Sequence, residues 1–178
     1  MTRWAAFLRG VNVGGHGKLP MKDLRARMDE AGFSDVATYI QSGNVVFDRA
    51  GEPASVEKKL SILIEDHFGL RPPMRLMTLA ALIDAEAQNP YPNPAELKHV
   101  HLWFLASAPA TPDLEALQAL KIPGEVFVLQ TDIFYLHAPE GIGQSKLADK
   151  VERHLGVSGT ARNLRTVRAM LELAGRKS

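Results

Sequence analysis

Cations set beside glycine-rich turns are the chemistry of phosphate recognition, because turn amides and helix N-termini present N–H groups to an anion. The stretch LRGVNVGGHGK, Leu8 to Lys18, places Gly10, Gly14, Gly15 and Gly17 between Arg9 and Lys18. It is not a P-loop. Gly10 and Gly15 have the glycine spacing, but His16–Gly17 stands where Lys–Ser/Thr is needed, and starting the frame at Asn12 puts Leu19 at the hydroxyl position. The dinucleotide pattern fails too, since Gly15–His16–Gly17 runs to Pro20 without a third glycine. Two readings remain: an anion cradle, or a connector whose glycines supply positive φ. Arg9 at the end of an apolar run is either a ligand, an exposed strand end or half of an internal ion pair.

Three further stretches carry the same chemistry. GIGQSK, Gly141 to Lys146, leads into a helix that Ser145 can cap. Lys146 in its first turn opposes the helix dipole unless an anion is bound or the side chain extends into water. ARNLRTVR, Ala161 to Arg168, sets Arg162 before an Asn163-capped helix, with Arg165 and Arg168 on one face. That stripe suits backbone phosphates, or is a solvated face. QSGN, Gln41 to Asn44, offers Ser42 and Asn44 as uncharged donors, although hairpin chemistry alone explains Gly43 and Asn44. The expected anion-binding set is therefore Arg9, Asn12, Gly14, Gly15, Ser42, Asn44, Ser145, Lys146, Arg162 and Asn163.

Catalytic patterns are weaker. His99 and His101 would share a strand face, and His137 can join them only if the register allows, with no carboxylate at ligand spacing. No metal site and no cofactor are expected. The nucleophile-elbow pattern is absent, because Gly143–Gln144–Ser145 is followed by Lys146–Leu147. No catalytic residue is assigned. An enzyme built on this cluster would draw its acid or base from Lys146 or His16.

The elements that must position these residues follow from hydrophobic period and punctuation. Trp4–Val11 reads as a strand and Met21–Ala31 as a helix stopped by Gly32. Val36–Gln41 and Asn44–Asp48 form a hairpin about Ser42–Gly43. Ser55 caps a helix carrying Val56, Leu60, Leu63 and Ile64 to a stop at Gly69; Met74–Met77 is a strand, and Thr78 caps a helix through Ala87. After the proline-rich NPYPNP, Asn89 to Pro94, the order repeats. Val100–Ala106 is a strand, and Thr111–Pro112–Asp113 opens a helix to Leu120. Glu125–Gln130 and Ile133–His137 form a hairpin about Thr131–Asp132. A helix runs from Ser145 to Leu155, Gly159–Arg162 is a strand, and Asn163 caps the last helix, which carries Val167, Met170, Leu171 and Ala174.

Each half thus reads β-α-β-β-α-β-α, the split βαβ, ferredoxin-like order plus one helix. The fold class is α+β: two tandem ferredoxin-like halves packed together, 1–88 and 99–178, joined by a Pro-rich linker, 89–98. Trp4–Leu8 and His101–Ala106 are apolar on both alternating faces, as strands buried on both sides are. A single continuous domain is the alternative.

Bulk properties narrow the function classes. The 178 residues are 46% hydrophobic with a net charge of +1, which gives no whole-molecule argument for nucleic acid or membrane. The charge is uneven: from Gly141 onward eight Lys/Arg face three acids, a net of +5, leaving −4 before it. No cysteine occurs, which removes disulfides, thiolate metal sites and thiol catalysis. No apolar run approaches the ~18 residues of a membrane span, and the short apolar run between Arg3 and Arg9 is no secretory leader. A cytoplasmic protein with no membrane partner is expected.

Four stretches, FLRGVNVGG, TYIQSGNVVF, PEGIGQSKL and TARNLRTV, together resemble the bacterial family of unknown function DUF-1697, in order and spacing over nearly the whole chain. Leu164 follows Arg162–Asn163 where the family often shows Trp. The resemblance marks positions and implies no activity.

The expected function is anion binding (phosphate, nucleotide or nucleic-acid backbone) at a site shared by the halves. The alternatives are an enzyme of unknown class, or an interaction module without a small ligand; monomer and homodimer both remain open. Base-stacking readout of RNA is disfavoured, because Phe47 is the only aromatic in Asn44–Phe47, and Trp4 and Phe7 fall on opposite strand faces.

Overall fold

The computed structural model describes residues 1–175; Arg176 and Lys177 of the basic C-terminal segment lie outside them. The chain divides into two compact units, Met1–Asp84 with the segment that starts at Arg168, and Ala85–Val167.

The first unit contains β1 (Thr2–Leu8), α1 (Met21–Glu30), β2 (Ser34–Tyr39), β3 (Asn44–Arg49), α2 (Pro53–Phe68) and β4 (Met74–Thr78), after which α3 (Leu79–Ala87) begins. Its sheet has the order β2-β3-β1-β4 and is antiparallel throughout. Trp4, Ala6 and Leu8 of β1 pack with Leu24 and Met28 of α1, Val45 and Phe47 of β3, and Val56, Leu60 and Ile64 of α2. Ala5 and Phe7, pointing the other way from β1, are equally buried, as the two-sided apolar pattern requires. Arg3 enters this apolar strand by pairing with Asp35 at 2.7 Å and Asp48 at 3.3 Å.

Helix α2 starts earlier than Ser55. Pro53 takes the first helical turn, where its missing N–H costs nothing, and Glu52 is the N-cap. The buried residues Val56, Leu60, Leu63 and Ile64 are those the period selects, and left-handed Gly69 ends the helix. Thr78 caps α3 by accepting from the Ala81 N–H at 3.2 Å.

The second unit contains β5 (Val100–Leu105), α4 (Leu114–Leu120), β6 (Val126–Gln130), β7 (Ile133–His137), α5 (Val151–Leu155) and β8 (Gly159–Asn163), and α6 (Leu164–Gly175) begins in it. Its antiparallel sheet runs β6-β7-β5-β8, the first sheet's order with each strand shifted by four. Trp103 and Leu105 of β5, Leu117 of α4, Phe134 and Leu136 of β7, and Val151 and Leu155 of α5 form its core. The Pro-rich Asn89–Pro94 lies in this unit without helix or strand, held by an Asx turn in which Asn89 accepts from the Tyr91 N–H at 3.0 Å.

Two element expectations change here. The cap of α4 is Asp113, whose carboxylate accepts from the Ala116 N–H at 3.0 Å, and Thr111 lies outside the helix. The helix expected from Ser145 to Leu155 is a short 3₁₀ turn, Ala148–Lys150, followed by the five-residue α5. Lys150, at φ −115°, breaks the α-helical run between them. No helix among the described residues is long and apolar enough to cross a membrane.

Candidate anion-binding site

The glycine-rich loop is a miniature hairpin. Gly14 and Gly15 have φ of 57° and 80°, the pair of positive values that a two-residue type I′ turn requires. His16 N–H closes the turn on Val13 O at 2.9 Å, and Asn12 N–H bonds Gly17 O at 2.9 Å below it. A Cβ on Gly17 would stand 2.7 Å from Gly10 O, so the base of the hairpin admits no side chain there.

Asn12, itself left-handed at φ 54°, ties this hairpin to the rest of the unit. Its amide nitrogen donates to Leu19 O and to Gln41 O, both at 2.8 Å, and its oxygen accepts from Leu19 N–H at 2.8 Å. Gln41 in turn accepts the Met21 N–H at the start of α1 through Oε1, at 3.3 Å. The Asn12 side chain therefore shapes the loop. Gly43 completes the join: it accepts the Leu8 N–H at 2.8 Å, and a Cβ there would lie 2.6 Å from Leu8 Cβ.

Arg9 follows the last residue of β1 and is exposed. Its N–H donates to Pro73 O at 2.8 Å, which sets the glycine hairpin beside the α2–β4 connection. Between them opens a cleft of about 400 Å³ lined by Arg9, Gly10, Val11, Gly17, Leu70, Arg71, Pro72 and Pro73. Two guanidinium-bearing residues thus share one cleft of the first unit. Arg71 pairs with Glu65, the arginine side chain well exposed and the glutamate side chain partly so.

The remaining expected residues fall as follows. Asn44 is fully buried and donates to Tyr39 O at 3.2 Å and Ser42 Oγ at 2.9 Å, which shapes the β2–β3 turn. In the second unit, buried Ser145 accepts from Ala148 N–H at 3.0 Å, and Lys146 is exposed. Asn163 caps α6 by accepting from Thr166 N–H at 2.9 Å. Arg162 lies half-buried on β8, donates to Ala161 O at 2.9 Å, and is lowered to about 10 by its burial. Arg165 is exposed on α6.

His101 is buried on β5, and its Nδ1 has no hydrogen-bond partner. Burial, with a smaller contribution from the nearby His99, lowers it to about 4. His137 is lowered for the same two reasons. Among the described residues no group of three His, Cys, Asp or Glu is arranged to hold a metal ion. His16 and Lys146 are both exposed.

Arg71 escaped the sequence reading. It sits in the connector Gly69–Pro73, and only the pairing of β4 with β1 brings it beside Arg9.

The family model described as "Protein of unknown function (DUF1697)" matches residues 1–135. The chain belongs to this family. Among solved structures, the DUF1697 chain is similar to conserved bacterial protein SP0830 from Streptococcus pneumoniae, at 26% identity and a TM-score of 0.68 over 97% of this chain and 98% of that one. No curated protein matches it. The Arg9–Arg71 cleft lies wholly within the family-matched residues.

Proposed function

We propose that this protein binds a phosphate-class anion in the first unit, in the cleft between the glycine hairpin and the α2–β4 connection. The observation that carries the reading is that Arg9 and Arg71 line one cleft, together with Gly10 and Gly17; nothing lies within 4 Å of an added Cβ at Gly10, so its missing side chain leaves the backbone open to a ligand. Planar guanidinium groups match the oxygens of phosphate in pairs, and charge-assisted bonds of this kind are the stronger class. Asn12, Ser42 and Asn44 act one step back, fixing the two loops that shape the hairpin. The same strand order in both sheets supports reading each unit as a ferredoxin-like half arisen by duplication.

The test is calorimetric titration of inorganic phosphate into the full chain and into Arg9→Ala and Arg71→Ala. Each substitution is expected to weaken binding by roughly tenfold or more, the worth of a charge-assisted hydrogen bond of about 1.5–3 kcal/mol. Equal affinity in all three proteins, or no binding in any, contradicts the reading.

A further inference from the structure

The walls of the cleft say more about its occupant than its cations do. Leu70, Pro72 and Pro73 form an apolar surface beside Arg9 and Arg71. A bare phosphate ion is small and strongly hydrated, and gains nothing from such walls. The volume of about 400 Å³ lies in the range of pockets that bury organic ligands. Two consecutive prolines and the Arg9 N–H to Pro73 O bond hold the walls in place before a ligand arrives.

One wall carries a competitor for the anion. Arg71 pairs with Glu65, with side-chain exposures of 78% and 38%. An ion pair this exposed is weak, so a phosphate dianion can take the guanidinium from the carboxylate.

Resting on the anion-binding reading above, we propose that the ligand is a phosphomonoester with an apolar or aromatic body, and that Glu65 is the gate it displaces from Arg71. The phosphoryl group sits between Arg9 and Arg71, and the organic body lies against Leu70, Pro72 and Pro73. Glu65 holds Arg71 at the rim of the empty cleft and lowers affinity by the strength of one exposed pair.

The experiment titrates inorganic phosphate, phenyl phosphate and adenosine 5′-monophosphate into the full chain and into Glu65→Gln, Pro73→Ser and Arg71→Ala. Phenyl phosphate is expected to bind about tenfold more tightly than inorganic phosphate, the return on a partly buried ring. Adenosine 5′-monophosphate binding as tightly as phenyl phosphate, or more so, supports the same proposal and extends the body to a nucleoside. Glu65→Gln is expected to tighten every ligand about threefold. Pro73→Ser, at an exposed wall position, should weaken phenyl phosphate several-fold more than it weakens inorganic phosphate. If both organic phosphates bind no better than inorganic phosphate at an Arg71-dependent site, the anion-binding reading stands and this proposal falls. An unchanged affinity in Glu65→Gln overturns the gate. If no ligand binds, both readings fail together.

Discussion

His101 is buried and its charged form is disfavoured there, and that makes it a measurable acid-labile point. Its folded value of about 4 lies below the ordinary 6.5. Between those values the unfolded chain takes up a proton that the folded chain refuses, so unfolding gains from acid. The stability contributed by neutral His101 is complete above about pH 6.5, is lost as pH falls toward 4, and amounts to about 3 kcal/mol over that span. His137, lowered as well, adds in the same direction. Urea midpoints measured from pH 7 to pH 4 should fall steeply in the wild type and less steeply in His101→Phe. Parallel curves for the two proteins would refute the assignment. The residue scale also shows where sequence and structure part. Asn12 has the polar amide of a ligand residue, but its side chain bonds Leu19 and Gln41, partners 7 and 29 positions away that no local spacing reveals.

The hairpin turns act as machined joints between elements. Gly43 has φ 77°, and an added Cβ would lie 2.6 Å from Leu8 Cβ and 2.8 Å from Val11 Cγ2. Gly14 has φ 57° with nothing within 4 Å of an added Cβ. Gly43→Ala should therefore cost about 3 kcal/mol or more, and Gly14→Ala about 1 kcal/mol from backbone strain alone. Thermal or urea unfolding of the two variants reads the difference, and equal losses would show that the close approach at Gly43 does not matter. What was legible at this scale was periodic or capped. The apolar side of α2 stood out at Val56, Leu60, Leu63 and Ile64, and the caps at Thr78 and Asn163 by residue type. The segment after Ser145 was not legible, because its 3₁₀ turn and five-residue helix keep the composition of one longer helix. The first hairpin was legible as a turn through its glycines, but its service to Arg9 and Arg71 depends on β1 pairing with β4 across some seventy residues of chain.

At the scale of the molecule, two units carry four-stranded sheets of one strand order, and the proposed cleft belongs to the first. A net charge of +1 offers little long-range attraction for an anion, so binding rests on the two local arginines. The most direct measurement is a backbone amide NMR titration of the full chain with inorganic phosphate. Chemical-shift changes concentrated at Arg9–Gly17 and at Leu70 and Arg71 are the predicted result. Changes confined to Gly141–Lys146 and Arg162–Asn163, or none at all, would contradict the account.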